Sequence, residues 1–454
     1  MTTHPLTPVP RQKHMPLAYI QEAMLNFLEK VGGTDESFYN LYSAVSLKGR
    51  LDLGLLEQAL NVIVGRHEVF RTTFAHVEGQ PAQVIGEPRA ISLQVADLRA
   101  LPLSEREARA QELALKSIQI KFDLRHDVLL RAHLLRLDDE ENVLVLVTHH
   151  IISDGWSMML LLRELVSIYT ALFEGKPSPL PELPLQYVDY AYWQRQWAQG
   201  ESLEESLSYW RQQLRGWTWI EMPFDHPRPA VPSLRGAQQV FDVSASLTAN
   251  VKEFSRHERV SLFMTLLAAF KALLFRYSGQ EDILVNTPGV NRTLPETQAL
   301  VGYFVTNLLL RTDLSGDPTF RQLVRRVADV TLDAYDNQDT PLLLIMKDLQ
   351  IDQLQVMFSF TPLIQEQAVE FADLTLKFME LDAAKSNEVS KRDISVYFFE
   401  KPDTLNVVLQ YSTDLFEHST ISQMVEDFQL LLKKVMTDPD QPISSLRLSP
   451  CASS

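Results

Sequence analysis

Two apolar repeats alternate along this chain, and the clearest junction between them falls near residue 150. Val143-Leu144-Val145-Leu146-Val147 is β-branched and apolar without Gly or Pro, the pattern of a buried strand. From Met158 to Phe173 the apolar positions recur at helical spacing. Between the two stands His149-His150-Ile151-Ile152-Ser153-Asp154-Gly155-Trp156-Ser157, so the pattern predicts two histidines closing a strand and an Asp-Gly pair opening a helix. Neighbouring strand side chains point to opposite faces, which lets only one of His149 and His150 face a given cavity. Asp154, at or next to the N-cap, is placed to accept backbone N–H bonds at the positive end of the helix dipole.

The same reading extends over the rest of the chain. Leu17 to Val31 and Leu53 to Val64 each carry one apolar helical face, Leu41 to Leu51 alternates as a strand, and Val77 to Ile85 reads as a hairpin. Glu105 to Ile120 is a charged surface helix, and Val128–Leu137 with Val143–His149 forms the antiparallel hairpin that delivers the histidines. The breaker cluster from Gly175 to Pro184 marks a lobe boundary, giving an N-terminal lobe over 1–180 and a C-terminal lobe over 181–454. The second part repeats the class of the first. It has helices at Leu247–Phe254, Ser261–Phe275 and Ser419–Val435, and strands at Ile283–Val285, Ser390–Phe399 and Leu405–Tyr411. A turn-rich loop, Thr287-Pro288-Gly289-Val290-Asn291-Arg292, follows the first of these strands. The fold class is therefore α/β.

Composition narrows the partners. The net charge of −16, from 58 acidic and 42 basic residues without a basic block, argues against a nucleic acid or an acidic membrane surface. The single cysteine, Cys451, rules out disulfides within the chain and thiolate zinc sites. The first sixteen residues lack an apolar signal region, and no run approaches the ~20 apolar residues of a membrane span, which points to a cytoplasmic protein.

Four further stretches accompany the histidine junction. Arg66-His67-Glu68-Val69-Phe70-Arg71-Thr72-Thr73-Phe74 reads by itself as a cationic helix end running into a strand, and Tyr187-Val188-Asp189-Tyr190-Ala191-Tyr192-Trp193-Gln194-Arg195 as an aromatic amphipathic helix. Val301-Gly302-Tyr303-Phe304-Val305-Thr306-Asn307-Leu308 and Val356-Met357-Phe358-Ser359-Phe360 come later. Together with HHxxxDG at 149–155, and in this order over residues 15–445, they resemble the RHExLRTxF, YxDYAxWQR and VGxFVNT elements of the condensation domains of non-ribosomal peptide synthetases, in the chloramphenicol acetyltransferase-like superfamily. This chain departs from the family pattern at Ala23, where an Arg is usual, and in the exchanged order of Thr306 and Asn307. Asp333 to Pro341 lacks the usual His, and the segment before Phe358 is shortened.

The resemblance implies two chloramphenicol-acetyltransferase-like lobes in a V with a central tunnel. Carrier-protein phosphopantetheine arms, or CoA on the donor side, then bring an acyl thioester and an aminoacyl acceptor to His150. Amide formation from a thioester needs a group to take the amine proton and donors for the developing oxyanion. The expected roles are His150 touching the amine and the Gly155 backbone N–H as oxyanion donor. His149 is expected in the core, and Asp154 in a buried ion pair with Arg292, or failing that Arg66. Trp156 and Ser157, first-turn residues suited to packing and capping, join Asn307 and Ser359 as candidates for substrate contact. No metal or redox cofactor is called for.

Competing readings fare worse. Two histidines and a carboxylate suit zinc or iron in type, but adjacent strand residues diverge and no third ligand is spaced for it. A serine hydrolase would need a GxSxG elbow, which the chain lacks. Cyclisation domains carry DxxxxD in place of the histidines, epimerisation domains share HHxxxDG, and a platform that only recruits carriers would not need the histidines intact. The short stretch ahead of the first helix implies a starter domain that takes a fatty acyl donor, with elongation between two carrier-bound aminoacyl groups as the other outcome. The protein is expected as a monomer or as part of a larger synthetase.

Overall fold

The structure is a computed structural model that describes residues 5–31, 36–363, 368–379, 381 and 389–446, so Cys451 lies outside the described residues. The chain runs α1 (Tyr19–Val31), β1 (Asn40–Gly49), α2 (Leu53–Arg66), β2 (Thr72–Val77), β3 (Gln80–Ile85), β4 (Leu93–Asp97) and α3 (Leu103–Ile118). Next come β5 (Leu130–Arg136), β6 (Glu141–His149), α4 (Gly155–Phe173), α5 (Tyr187–Trp197), α6 (Gly200–Gln213), β7 (Gly236–Val243), α7 (Ala245–Glu258), α8 (Leu262–Ser278) and β8 (Asp282–Gly289). The remainder is β9 (Thr306–Asp313), α9 (Phe320–Asp336), α10 (Leu342–Leu349), β10 (Val356–Thr361), β11 (Val369–Phe371), β12 (Leu374–Phe378), β13 (Ile394–Glu400), β14 (Leu405–Ser412) and α11 (His418–Thr437).

Two compact units result. The first comprises residues 1–204, 290–305 and 365–386, and the second takes the rest. In the first, a mixed sheet is ordered β11-β12-β1-β6-β5-β4. Its central strand β6 pairs antiparallel with β1 and β5, and every residue after Glu141 is buried, which is why it reads as a continuous apolar run. The α2 helix starts on Asp52, whose Oδ1 accepts from Leu55 N at 3.0 Å. It buries Leu56, Ala59, Leu60, Ile63 and Val64, an i, i+3, i+4 stripe. At 19 residues, α4 is long and apolar enough by composition to cross a membrane, closer to that length than the apolar runs of the sequence suggest. Here it is a core helix: Leu161, Leu162, Leu165 and Ile168 are buried, and buried Glu164 is ion-paired.

The second unit is built on a sheet ordered β7-β14-β13-β10-β8-β9, with α8 and α9 against β8 and β9 and α11 against α7, α8 and β7. Its β8 is longer than the apolar run Ile283–Val285 implies. The residues expected to open a loop, Thr287 to Gly289, stay in the ladder, with Gly289 opposite Thr306.

The lobe boundary expected at 180/181 is displaced. The Gly175–Pro184 stretch is a surface connection within the first unit, because α5 beyond it is fastened back to the N-terminal segment. Buried Asp189 on α5 accepts from both terminal nitrogens of Arg11, at 2.6 and 3.0 Å, and Arg195 donates to Glu22 at 2.6 Å. The unit therefore continues to residue 204 and recruits two later segments, 290–305 and 365–386, which no local pattern announces.

Candidate active site

The strand carrying the histidines ends at His149, opposite Asn40 of β1. His149 is 2% exposed, lies against the rings of Tyr39 and Phe122, and its Nδ1 accepts from Ile151 N at 3.1 Å. That bond caps a 3₁₀ turn, His150–Ile152, so His150 stands on the turn and not on the strand as expected. The cause is local: the His149 ring takes the Ile151 N–H, and fully buried Gln21 donates Nε2 to Ile151 O at 3.0 Å. Both divert the backbone from the ladder. The outcome for the side chains is still divergence, one ring in the core and the other partly exposed.

His150 Nδ1 lies 2.7 Å from Ser153 O. A carbonyl oxygen only accepts, so Nδ1 carries the proton of the neutral imidazole and Nε2 is its basic nitrogen. The ring is held against Tyr303, with centroids 4.3 Å apart. Tyr303 is held in turn, its carbonyl accepting from the Tyr187 hydroxyl at 2.6 Å. Beside it a Cβ on Gly302 would stand 2.0 Å from Tyr187 Cδ2, so only glycine permits this approach.

Asp154 is fully buried and is the N-cap of α4. Its Oδ1 accepts from Ser157 N at 2.8 Å and from Arg292 Nη2 at 3.2 Å, and its Oδ2 from Phe304 N at 3.0 Å. Arg292 also donates to the carbonyls of Thr297 and Leu300 and, at 2.9 Å, to Ser157 Oγ; its guanidinium carbon sits 4.0 Å from the centre of the Phe304 ring. Burial lowers the Arg292 pKa and the Asp154 carboxylate opposes that shift, the behaviour of a desolvated cation held by its counter-ion. The pair ties the histidine junction to residues 290–305, the partnership expected first for Asp154.

Arg66, the second candidate, does not reach Asp154. It donates Nε to Glu164 Oε1 at 3.1 Å, while His67 Nε2 lies 2.8 Å from Glu164 Oε2. The buried carboxylate of Glu164 on α4 engages both side chains: burial pushes the Glu164 pKa up, and the contacts with His67 and Arg66 bring it below its ordinary value. Ser157 also departs from expectation. It is 1% exposed, donates its hydroxyl to Gly302 O at 2.8 Å and accepts from Gly302 N at 3.0 Å, so it braces the site and offers no face to a ligand.

The other expected residues fall on two units. Trp156 is 43% exposed and donates Nε1 to Gln298 O at 3.1 Å. Gly155, the first residue of α4, is exposed, and a Cβ there would meet nothing within 4 Å; its backbone N–H is a first-turn donor with no acceptor inside the helix. Asn307 and Ser359 belong to the second unit, Asn307 on β9 and Ser359 on β10 opposite Tyr397. Sequence reasoning missed Tyr303, Phe304 and Gln21 as supports of the site. A glycine set between apolar and aromatic residues at 301–304 is the available signal for the first two.

Taken with the fold, the junction at 149–157 defines the class of protein. The chain belongs to the condensation-domain family, whose model, "Condensation domain", matches residues 11–453; its members are the amide-forming acyltransferases of non-ribosomal peptide synthetases. It is similar to part of a linear gramicidin synthase protein of Brevibacillus parabrevis, 42% identical over 99% of this chain, though the chain spans only 6% of that relative's length. Among solved structures, the X-domain from teicoplanin biosynthesis is 27% identical with a TM-score of 0.84, covering 98% of this chain and 100% of that one. The starter condensation domain of rhizomide synthetase RzmA, in complex with C8-CoA, has a TM-score of 0.80 at 18% identity, covering 96% and 98%, a likeness of fold alone.

Proposed function

We propose that this chain joins a thioester-bound acyl donor to the amine of a carrier-bound aminoacyl acceptor, with His150 Nε2 facing the amine. The observation that carries the reading is the 2.7 Å contact of His150 Nδ1 with Ser153 O, which leaves Nε2 as the ring's basic nitrogen and so supports its role as proton acceptor. The amine nitrogen attacks the thioester carbonyl carbon, the C–N bond forms and the C–S bond breaks. The proton released by the amine passes through Nε2 to the departing thiolate, so the reaction is redox-neutral and His150 is restored. Gly155, at the positive end of α4 with open space over its Cα, supports a role for its N–H as oxyanion donor. Asp154 and Arg292 act by holding that helix start in place.

Phosphopantetheine arms of carrier proteins present the acceptor, and a carrier or CoA the donor. The likeness to part of a linear gramicidin synthase favours a peptidyl donor over the fatty acyl donor expected from the sequence, since the likeness to a starter domain supports only the fold. A panel of acyl-CoAs, acyl carriers and aminoacyl carriers offered with a loaded acceptor carrier, read by intact mass, tests the reading. Amide product from aminoacyl carriers and from no acyl-CoA supports the peptidyl donor, and product only from fatty acyl thioesters reverses it. No amide from any pair refutes the function.

A further inference from the structure

Residues 302–304 are held through their backbone by side chains of the first unit that are themselves buried. Gly302 accepts from Ser157 Oγ at 2.8 Å and donates to it at 3.0 Å, the Tyr303 carbonyl accepts from the Tyr187 hydroxyl at 2.6 Å, and Phe304 N donates to Asp154 Oδ2 at 3.0 Å. Ser157, Tyr187 and Asp154 are each 2% exposed or less. Three successive residues are thereby fixed, and what they deliver to the histidine junction is one ring. Tyr303 is 8% exposed, and its centroid lies 4.3 Å from that of His150 with the ring planes inclined at 42°.

An aromatic face carries negative charge density and attracts a cation within about 6 Å of its centroid. The neutral imidazole gains little from such a face, and the imidazolium gains more. The bond at the other end of the ring has the same sense. Ser153 O accepts from Nδ1, and a hydrogen bond from a cation is stronger than one from a neutral donor. A carboxylate is the ordinary partner for an imidazolium, but Asp154 turns its oxygens to Ser157 N, Phe304 N and Arg292.

We propose that Tyr303 is a positioning residue that acts through His150, its ring face stabilising the imidazolium formed when Nε2 takes the amine proton. The inference rests on the proton-acceptor reading above. One effect opposes it: the same ring shields part of the imidazole from water, which disfavours the charged form. The two effects separate when the charge of the ring face is changed and its shape is not. The other ionisable groups come from the same segments. They are His149, directed into the core, Asp154 and Arg292, bonded to each other, and Tyr187, whose hydroxyl burial holds well above its ordinary range. All four are common to every variant below.

The test places phenylalanine and then its mono-, di- and trifluorinated analogues at position 303 of the full chain, since fluorine draws charge from the ring face with little change in size. The titration midpoint of His150 is read by NMR of the histidine-labelled protein, its signals assigned by their loss in His150→Gln. Tyr303→Phe should match wild type, and the midpoint should then fall stepwise by about half a unit across the fluorinated series. Single-turnover condensation above the midpoint should slow about twofold in the same order, with acceptor KM unchanged. A midpoint that stays flat or rises along the series overturns the proposal. So does one that moves at Tyr303→Phe and not thereafter, because that assigns the effect to the hydroxyl. A rate indifferent to a falling midpoint overturns the part of the ring in proton transfer. The midpoint needs no turnover, so a stepwise fall upholds the action of the ring on His150 even if His150→Ala condenses normally, whereas a flat midpoint refutes it whatever the turnover.

Discussion

Replacing Asp154 with Ala is the sharpest structural perturbation of the site. It removes the acceptor for Ser157 N and Phe304 N and the counter-ion of Arg292, whose side chain is 2% exposed. What remains around the guanidinium is the pair of carbonyls from Thr297 and Leu300 and the Ser157 hydroxyl, none of them charged. Breaking a buried ion pair from one side costs about 3–5 kcal/mol, since the surviving charge stays desolvated. For a compact unit of this size that corresponds to a fall in Tm of roughly 6–20 °C. Scanning calorimetry reads the fall, and condensation activity should drop with it. Arg292→Met added to Asp154→Ala removes the orphaned cation, so the double variant should recover part of the loss and the cycle should show coupling of about 2 kcal/mol. Additive losses would contradict the pairing of the two side chains. An unchanged Tm with activity abolished would make Asp154 a participant in the chemistry and not a brace.

Three further outcomes follow from the same geometry. Gly302→Ala drives a Cβ into the Tyr187 ring and should cost about 3 kcal/mol, while Tyr187→Phe, which only removes the bond to Tyr303 O, should cost about 1 kcal/mol by denaturant melts. Gly155→Ala meets no protein atom, so stability should stay within about 1 kcal/mol while condensation falls, and unchanged turnover would show that no substrate approaches that carbon. Lys271, buried on α8 with Nζ 2.6 Å from Leu310 O, has its pKa lowered by burial to about 7 from an ordinary 10.5. Between those values the unfolded chain binds the extra proton, so wild-type stability relative to Lys271→Met should rise from about pH 7 to pH 10, and a flat difference would contradict the role of burial.

What is legible in the sequence is local. Strand β6 and helix α4 are visible because a buried central strand and a core helix each impose one period on the apolar residues, and Asp154 at the helix start follows from capping chemistry. The pairing with Arg292 is legible only through family resemblance, since the two lie 138 positions apart. Arg66 goes to Glu164, because an acidic residue in the apolar stripe of α4 gives no sign from sequence that it is buried. His150 leaves the strand through two bonds made by His149 and Gln21, which periodicity does not encode. The recruitment of 290–305 and 365–386 into the first unit is long-range packing, and the breaker cluster at 175–184 marks a loop instead.

The central claim is that His150 Nε2 takes the proton of the attacking amine, and single-turnover condensation by purified His150→Ala tests it most directly. With donor and acceptor carriers loaded and products read by intact mass, the rate should fall by about 10²-fold or more while Tm stays within a few degrees of wild type, because the ring is partly exposed and its Nδ1 bonds a nearby carbonyl, that of Ser153. Product formation within a fewfold of wild type by a folded His150→Ala protein would contradict the claim.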